Sequence, residues 1–518
     1  MPFNLATILR ESARGHPDKT VLISGSDRMS YAGLDAASDR VAAGLCERGM
    51  RPGDAIAVQL PDVVQFAVAY FGILKAGCVA VPMNVGSSAS EAAHVLRSSG
   101  ARLLITWAGC VEDAAKAAAD VGIADDIIVL ATPGLPQPSV GRPFAQLLAG
   151  VPPGRWPLWL TDPDDPAMIA FTAGSTGMPK AVDLTHFQLL VSAETTGRLR
   201  GIDDRDVVMT GWPLHHVGAL SGVLGACVRF AATMTLLPAS EPDAVLDTIE
   251  RDRVTVLDGV PSTYVALLNH CRSGARALRS VRLAVSSGAR MPARAIDEFE
   301  RRFGIAVLES YGLSETAWTT ASNRSAPQRR VESVGKPVWG VDLEVRDAQD
   351  RPLPPGRQPV GELVVRAVTM MRGYHGDPAA APVDGWFRTG DLGYVDEDGF
   401  VFVVGRKTEL IIVDGHDVHP REVEDALVAT PPWPRRPSSA LRTRSRCGGQ
   451  SLRGAASRRA GHGGRDHQPR PEAAGLLHVP AVGGVPRHPS HERRGQGPQV
   501  GVVKGEAFSQ VDSPVRST

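Results

Sequence analysis

Residues 171–180 read Phe171-Thr172-Ala173-Gly174-Ser175-Thr176-Gly177-Met178-Pro179-Lys180. Glycines let a backbone turn and approach an anion without a Cβ clash, and the exposed N–H groups of such a loop form a concavity that suits phosphate oxygens. Three hydroxyls and a terminal lysine add donors and positive charge. The stretch predicts a phosphate-binding loop, although a Gly/Ser/Thr run is also typical of an ordinary surface turn. It differs from the GxxxxGK[ST] pattern, because Ala181 follows the lysine.

The composition is that of an ordinary soluble globular protein with more than one domain. Of 518 residues, 43% are hydrophobic and 22% are charged, and a chain of this length can bury a large core. The formal net charge is zero, which favours neither a nucleic acid nor an acidic molecule as a partner. The six cysteines are scattered and form no CxxC pair. The sequence therefore indicates neither a zinc site nor a disulfide framework.

The sequence predicts neither a secretion signal nor a membrane span. A basic region followed by an apolar run is missing near residue 1. The most apolar window, residues 66–83, contains Lys75, Gly77 and Pro82, so it predicts a buried amphipathic helix that leads into a strand. We expect a cytoplasmic protein with reduced thiols, and peripheral contact with a membrane stays open.

Helical and strand patterns alternate along the first 170 residues and again from residue 206 to residue 285. This alternation predicts a layered α/β body with a mostly parallel sheet. Ser30 is placed to cap a helix that includes residues 34–48, and a second helix is predicted at 63–75. Strands are predicted at 54–59, 79–82, 103–107, 127–130, 206–209, 254–257 and 282–285.

A β-rich pattern begins near residue 342. Short strands are predicted at 342–346, 360–366 and 400–404, with Pro/Gly turns between them, which favours a small antiparallel subdomain. Gly405-Arg406-Lys407-Thr408 has the composition of a hinge. We expect a large domain at 1–404, then a hinge and the start of an incomplete, small α+β domain at 405–430.

Residues 431–518 have a different composition. They hold fourteen arginines, one lysine and five acidic residues, a formal charge of +10, and they show neither helical nor strand periodicity. Such a segment cannot bury enough apolar surface to offset the entropy of ordering, so we expect it to be disordered or poorly folded. A nucleic-acid-binding tail is a weaker alternative, because no recognisable reading module accompanies the charge.

A frameshift near Thr430 is the hypothesis that we prefer for this tail. GC-rich codons chosen for residues 431 onward, read two nucleotides later, can encode the end of an amphipathic helix followed by a strand. That is the pattern expected at this point of the fold. Resequencing the codons around Thr430 tests the hypothesis, and an undisturbed reading frame there would remove it.

Five further segments contain residue types that are suited to catalysis or ligand binding. They offer paired histidines, small residues beside a strand, an aromatic ring near a carboxylate, an acid after a tight turn, and a basic hinge. In chain order they are Trp212-Pro213-Leu214-His215-His216, Ser286-Ser287-Gly288-Ala289, Glu309-Ser310-Tyr311-Gly312-Leu313-Ser314-Glu315-Thr316, Trp386-Phe387-Arg388-Thr389-Gly390-Asp391-Leu392 and Gly405-Arg406-Lys407-Thr408-Glu409-Leu410. Taken singly, Asp391 could be a turn residue, and Tyr311 or either histidine could belong to the core. Several motifs in one order are far more specific than any one.

In order and spacing, residues 5–430 closely resemble the adenylate-forming superfamily, specifically its acyl-CoA synthetases. That family shares phosphate-loop, YGxTE-type, TGD and GRxxE motifs. The resemblance implies a large adenylate-forming domain and a two-step reaction. A carboxylate attacks the α-phosphorus of ATP and releases pyrophosphate, and the thiol of coenzyme A then attacks the acyl-adenylate. The small domain is expected to rotate about the hinge between the two steps.

The resemblance also assigns roles to single residues. His216 is expected beside the reacting carboxylate, Lys180 in the phosphate loop, and Glu315 on Mg²⁺, a hard cation that prefers oxygen ligands; these are the expected catalytic residues. The other expected ligands are Thr172, Gly174, Ser175, Thr176 and Gly177 for the β- and γ-phosphates, with Thr176 also near Mg²⁺; Tyr311, Gly312, Ser314, Ser287, Gly288 and Ala289 around adenine; and Asp391 and Arg406 for ribose or phosphate.

The chain departs from the family near its C-terminal end. Family members carry a Pro-Lys-x-x-x-Gly-Lys-type motif, whose lysine bridges the carboxylate and the α-phosphate. No such motif is present, and Lys504, the only lysine after residue 430, has the wrong context. We therefore expect ATP binding to survive and adenylation to be severely impaired. Four smaller departures are Thr408 at the hinge, Ser314 for the usual threonine, Ala173 for a loop serine and Ala181 for a glycine.

The leading interpretation is a ligase that joins an apolar acid, expected to be a fatty acid, to coenzyme A. Small residues at Gly218, Ala219, Ser221 and Gly222 could line an acyl pocket or simply allow helix packing, and Trp318 could cap that pocket. Alternatives are transfer of the acyl group to a carrier protein and a catalytically dead nucleotide- or acyl-binding remnant. Amino acid substrates are disfavoured, because related peptide-synthetase domains place an aspartate where residues 212–217 have none.

Overall fold

A computed structural model of the chain describes residues 2–132, 135, 139–149, 156–172, 178–237, 241–270, 278–377, 381–409, 411–413 and 416–418. Residues 173–177 of the predicted phosphate loop, and the tail at 431–518, lie outside these ranges. For residues 411–413 and 416–418 the structure defines the backbone only.

Helices and strands alternate along the described chain, as the sequence predicts. The helices are α1 (Thr7–Gly15), α2 (Tyr31–Glu47), α3 (Val64–Lys75), α4 (Ala89–Ser99), α5 (Val111–Asp120), α6 (Ala145–Leu148), α7 (His186–Arg200), α8 (Gly225–Arg229), α9 (Pro242–Asp252), α10 (Pro261–Asn269) and α11 (Ala293–Phe303). A π-helix (Gly218–Leu224) leads directly into α8. The predicted cap is confirmed, because the Ser30 side chain accepts a hydrogen bond from the backbone N–H of Gly33 at the start of α2.

The strands match the predicted ones to within two residues wherever one was predicted. They are β1 (Thr20–Ser24), β2 (Asp27–Ser30), β3 (Ala55–Gln59), β4 (Val79–Pro82), β5 (Leu103–Trp107), β6 (Ile127–Leu130), β7 (Arg142–Pro143), β8 (Pro166–Thr172), β9 (Lys180–Thr185), β10 (Val207–Thr210), β11 (Thr233–Leu236), β12 (Val256–Gly259), β13 (Leu283–Ser287), β14 (Val307–Leu313), β15 (Trp318–Ser322), β16 (Lys336–Pro337), β17 (Val341–Arg346), β18 (Gly361–Ala367), β19 (Phe387–Val395), β20 (Val401–Arg406), β21 (Ile411–Val413) and β22 (His416–Val418).

Two large, mainly parallel sheets form the body of the protein, where the sequence predicted one. The strand order is β16-β15-β14-β13-β12-β10-β11-β1-β2 in the first sheet and β7-β6-β5-β3-β4-β8-β9 in the second. In each, the antiparallel strands lie at the edges, with β2, β15 and β16 in the first sheet and β9 in the second. Alternation along the chain does not reveal which strands pair, so the sequence could not separate the two sheets.

The layered α/β class is confirmed. Side chains alternate along β3, where Ile56 and Val58 enter a core that also contains residues of β1 and β11 from the first sheet, together with α1–α3. Ala55 and Ala57 point the other way, onto α4 and α5. Helices α9–α11 cover the outer face of the first sheet. The molecule therefore stacks helices and sheets alternately, with helices between the two large sheets.

Helix α3 is buried on nearly every side, which corrects the expectation of an amphipathic helix. All its residues except Gln65 are buried. Lys75, at its end, is fully buried and donates hydrogen bonds to the carboxylates of Asp35 at 2.5 Å and Asp39 at 2.7 Å. Arg10 contacts the same two carboxylates. A charged residue in an apolar helix is tolerated here because it is paired inside the protein. No helix among the described residues is long and apolar enough to cross a membrane.

The predicted antiparallel subdomain is the sheet β17-β18-β19-β20. Its small core joins Val345, Leu363 and Val401 to Ala321 of β15, so it packs against the edge of the first large sheet. Strand β20 continues through Gly405 and Arg406, so the sheet ends two residues after the predicted domain boundary at 404. The predicted hinge residues Lys407 and Thr408 follow it in a short 3-10 helix.

Replacing Gly72 with alanine is expected to destabilise the protein. A Cβ at this position of α3 would lie 2.5 Å from the Cβ of Val41 in α2. Overpacking of this kind costs about 1–3 kcal/mol, against about 1 kcal/mol gained in helix propensity. Urea unfolding should give a lower free energy of unfolding for Gly72→Ala. The matched control is Gly15→Ala in α1, where a Cβ meets nothing within 4 Å, and equal stability of the two variants would contradict the prediction.

Candidate active site

The predicted phosphate loop begins in one strand of an antiparallel pair and ends in the other, and neither strand was predicted from the sequence. Strands β8 and β9 pair so that Thr172 is opposite Lys180, at the mouth of the loop. Gly174, Ser175, Thr176 and Gly177 lie outside the described residues. Thr172 and Lys180 are therefore the loop residues whose positions the structure gives.

A cavity of about 650 Å³ opens beside this hairpin. Several of the predicted site residues line it, although they come from segments far apart in the chain. They are Thr172, Lys180, His216, Gly288, Gly312, Ser314, Glu315 and Arg406. Lining residues that the sequence did not single out as ligands include Phe171, Trp212, Trp318, Glu362, Tyr374 and Trp386.

Tyr374 connects the two charged groups at the centre of this cavity. Its hydroxyl donates a hydrogen bond of 2.9 Å to Oε1 of Glu315, and the ammonium group of Lys180 lies 4.8 Å from the centre of its ring. The second contact is a cation–π interaction. Lys180 and Glu315, an expected phosphate ligand and an expected metal ligand, thus both contact one tyrosine.

Backbone contacts fix the position of Tyr374. The backbone N–H of Met371 donates to the carbonyl of Glu315 at 2.8 Å, and that of His375 donates to the carbonyl of Ala181 at 2.8 Å. Tyr374 itself forms an isolated β-bridge with Val182 of β9. Tyr374 was not predicted from the sequence, and the Gly373-Tyr374 pair between two strands is the signal that could have indicated it.

Tyr311, Asp391 and Arg406 form a hydrogen-bonded cluster. The Tyr311 hydroxyl donates to Oδ2 of Asp391 at 2.5 Å, and Nε of Arg406 donates to Oδ1 at 3.0 Å. Burial raises the pKa of Asp391, while its two partners act in the opposite direction. The structure therefore brings together three predicted nucleoside ligands, of which Arg406 lines the cavity and Asp391 is only 3% exposed.

Asp391 does not follow a tight turn, as the sequence suggested, but lies within strand β19. The pairing register between β18 and β19 shifts between Glu362 and Val364, opposite Gly390, whose φ is +75°. A bulge of this kind redirects the side chains that follow it. Gly390 is therefore part of an irregular strand. A Gly-Asp pair in a sequence is compatible with such a strand and with a tight turn, so the sequence did not separate the two.

The predicted adenine wall is partly covered by Trp212. A Cβ on Gly288, where φ is +83°, would lie 2.1 Å from the Trp212 indole, so this close approach requires glycine. The indole N–H donates to Oγ of Ser287 at 3.3 Å. Ser287 is buried and Ala289 is exposed, and among these three only Gly288 lines the cavity.

His216 is neutral and surrounded by aromatic rings. Its ring lies 4.3 Å from that of Trp212 and 5.3 Å from that of Trp318, centre to centre. Burial, and to a smaller extent His215, lowers the pKa of His216 to about 4. The backbone N–H of Gly218 donates to its Nδ1 at 3.2 Å, so the neutral ring carries its proton on Nε2.

The carboxylates that line the described part of the cavity are Glu315 and Glu362. Glu362 is paired with Arg388 and lies near Lys407, whereas the hydrogen bond described for Glu315 uses only Oε1. The described residues contain no group of three or more His, Cys, Asp or Glu side chains that could hold a metal ion. A single carboxylate is nevertheless compatible with Mg²⁺, which takes many of its ligands from phosphates and water.

A second groove, of about 850 Å³, runs along the exposed side of α7. Its lining is apolar and basic, and includes Phe187, Leu190, Arg198, Arg229 and Trp339. None of the predicted site residues is among the residues that line it. The motifs therefore favour the cavity beside β8 and β9 as the active site.

Comparisons with known proteins find relatives that match most of the chain. The family model "AMP-binding enzyme" matches residues 9–375. The chain is 32% identical over 437 residues to the sulfoacetate–CoA ligase of Cupriavidus necator, covering 82% of this chain and 83% of that protein. It is 30% identical over 450 residues to a long-chain-fatty-acid–CoA ligase of Bacillus subtilis, covering 82% and 80%. The crystal structure of the anthranilate–CoA ligase AuaEII with anthranoyl-AMP matches with a TM-score of 0.78 and 25% identity, covering 83% of each chain.

Protonation of His216 is expected only well below neutral pH. Because the pKa is about 4, acidification should quench the fluorescence of Trp212, the neighbouring ring, with a midpoint near that value. The difference in emission between the wild type and Trp212→Phe isolates this signal, and His216→Gln is the control in which the transition should disappear. Far-UV circular dichroism at each pH checks that the protein stays folded. A midpoint near 6.5 in the folded protein would contradict the burial of this histidine.

Proposed function

Because this chain belongs to the AMP-binding enzyme family, among the acyl-CoA synthetases of the adenylate-forming superfamily, we propose that it activates an apolar carboxylic acid with ATP and transfers the acyl group to coenzyme A. The observation that carries the proposal is the contact of Tyr374 with both Lys180 and Glu315 in one cavity. A cation can bind the phosphates of ATP and a carboxylate can bind their counter-ion, so the two groups suit a nucleotide.

The first step joins the acid to the nucleotide. A carboxylate oxygen attacks the α-phosphorus of ATP, the bond to the β-phosphate breaks, and pyrophosphate leaves. Lys180 and Thr172 bind phosphate oxygens, together with Gly174, Ser175, Thr176 and Gly177 of the loop. Glu315, with Thr176, would hold Mg²⁺, which when bound supplies positive charge to the phosphates. Positioning and charge neutralisation suffice for this displacement.

The nucleoside end is proposed to lie at the Tyr311–Asp391–Arg406 cluster. Tyr311 offers a ring face for adenine, with Gly288 and Gly312 close by. Ribose hydroxyls donate to Asp391, whose carboxylate has acceptor capacity beyond the two hydrogen bonds that it already accepts. Arg406, whose side chain is 52% exposed, can move from Asp391 to ribose or phosphate.

The acid is proposed to lie against His216, Trp212 and Trp318. A neutral imidazole does not hold a carboxylate by charge, but its Nε2–H can donate a hydrogen bond to a carboxylate oxygen. The aromatic rings suit an apolar substituent. In the second step, the thiol of coenzyme A attacks the acyl carbonyl and AMP leaves. Loading of a carrier protein is the alternative, and CoA-dependent consumption of acyl-adenylate distinguishes the two.

Tyr374→Phe is expected to weaken the binding of MgATP by about three- to tenfold. The change removes only the hydroxyl that orients Glu315, and one such hydrogen bond contributes about 1 kcal/mol. Tyr374→Ala should weaken binding further, since it also removes the ring beneath Lys180. Isothermal titration calorimetry measures both. The matched control is Tyr394→Phe, a tyrosine stacked on Phe402 in the small sheet, and equal affinities of the two Phe variants would contradict the role of Tyr374.

Adenylation by this chain is expected to be slow. The family lysine motif is missing from residues 431–518, and loss of a cation that stabilises developing charge lowers a rate by about a hundredfold or more. Acid-dependent exchange of labelled pyrophosphate into ATP, with a panel of carboxylic acids, measures the rate. The control is protein from a gene whose reading frame is corrected at Thr430. Equal exchange rates of the two proteins would contradict the prediction, while ATP binding without exchange by either protein would favour a catalytically dead remnant.

A further inference from the structure

The indole of Trp318 fills the space next to two glycines of the π-helix. A Cβ on Gly218 would lie 2.5 Å from the indole, and one on Gly222 would lie 2.9 Å from it. The hydroxyl of Thr196, in α7, lies 3.5 Å from the same Cβ position on Gly222. The small residues noted in the sequence therefore form a slot, bounded by Gly218, Gly222 and Thr196, and Trp318 occupies it.

Two features of Trp318 in this slot are energetically unfavourable: its backbone conformation and its unpaired indole N–H. Its φ is +114°, in a region where a bulky residue is an outlier. Its indole N–H is buried and has no hydrogen-bond partner among the described residues, and an unsatisfied donor costs about 1–3 kcal/mol. The adjacent helix is a π-helix, a form that is frequent at functional sites. Strain, an unpaired donor and an irregular helix thus coincide at one side chain.

The same side chain lines the active-site cavity. Trp318 lines it together with Lys180 and Glu315, and its ring meets those of Trp212 and His216 edge to face at 5.3 Å. The proposed function places the acid against His216. A substituent of that acid therefore meets the rings of Trp212 and Trp318.

We propose that Trp318 closes the acyl end of the cavity and restricts this enzyme to compact acids, either planar aromatic acids or short aliphatic ones. The proposal rests on the proposed function and narrows its substrate class, away from the long-chain fatty acid expected from the sequence. Removal of the indole opens the slot between Gly218 and Gly222 toward α7. A long acyl chain can then occupy the space that the indole leaves.

Binding of stable acyl-adenylate mimics tests the proposal without requiring turnover. The probes are 5′-O-(N-acylsulfamoyl)adenosines that carry benzoyl, hexanoyl or dodecanoyl groups, with AMP as the probe for the nucleotide site alone. The wild type is expected to bind the benzoyl and hexanoyl mimics about tenfold or more tighter than the dodecanoyl mimic. Trp318→Gly, which also relieves the positive φ, should reverse this order while keeping its affinity for AMP.

Two further variants are expected to differ from each other: Gly222→Ala should change the binding of the mimics, and Trp339→Gly should not. Gly222→Ala pushes a methyl group into the indole, so it should weaken the benzoyl mimic and leave AMP unchanged. Trp339→Gly removes a tryptophan that is 72% exposed and does not line the cavity, so the wild-type order should persist.

The outcomes separate failure of the proposal from failure of the proposed function. Equal affinity of the wild type for the benzoyl and dodecanoyl mimics overturns the role of Trp318, whether or not Trp318→Gly folds. An unchanged order in a folded Trp318→Gly variant overturns it as well. If the wild type binds neither AMP nor any mimic, the proposed function fails, and the restriction on acyl length fails with it.

Discussion

The contact of Tyr374 with Lys180 and Glu315 is the interaction on which the site depends. Each residue comes from a different part of the fold: Lys180 begins β9 in the second large sheet, Glu315 follows β14 in the first, and Tyr374 lies after β18 of the small sheet. The Tyr374 hydroxyl binds the Glu315 carboxylate by a hydrogen bond, and the Tyr374 ring contacts the Lys180 ammonium group. The two opposite charges are therefore held by the same side chain. The site is thus a junction between the three sheets.

A buried network of ion pairs lies between the two large sheets. Lys75 and Arg10 are paired with Asp35 and Asp39 between the two large sheets, where unpaired charges would be strongly unfavourable. The network ties α1, α2 and α3 to one another. These helices pack against strands of both large sheets, so the network lies in the core that joins the two sheets.

The lining of the cavity combines two kinds of chemistry. Lys180, Glu315 and Arg406 supply charged groups, and Trp212, His216 and Trp318 supply aromatic rings. Burial lowers the pKa of His216 to about 4, so this ring adds no charge to the lining at neutral pH. The same cavity therefore offers both charged and apolar contacts.

The sequence by itself determined the layered α/β class, the positions of ten of the 22 strands and the identity of several residues that converge, because hydrophobic periodicity and short motifs are local properties of the chain. Lys180, Glu315 and Arg406 could be named from their motifs alone. Tertiary structure alone decided that the strands form two large sheets, that Tyr374 joins Lys180 to Glu315, and that Trp318 lies in the slot between Gly218 and Gly222. These features depend on which distant segments touch, and contacts between distant segments leave no periodic signal in a single sequence.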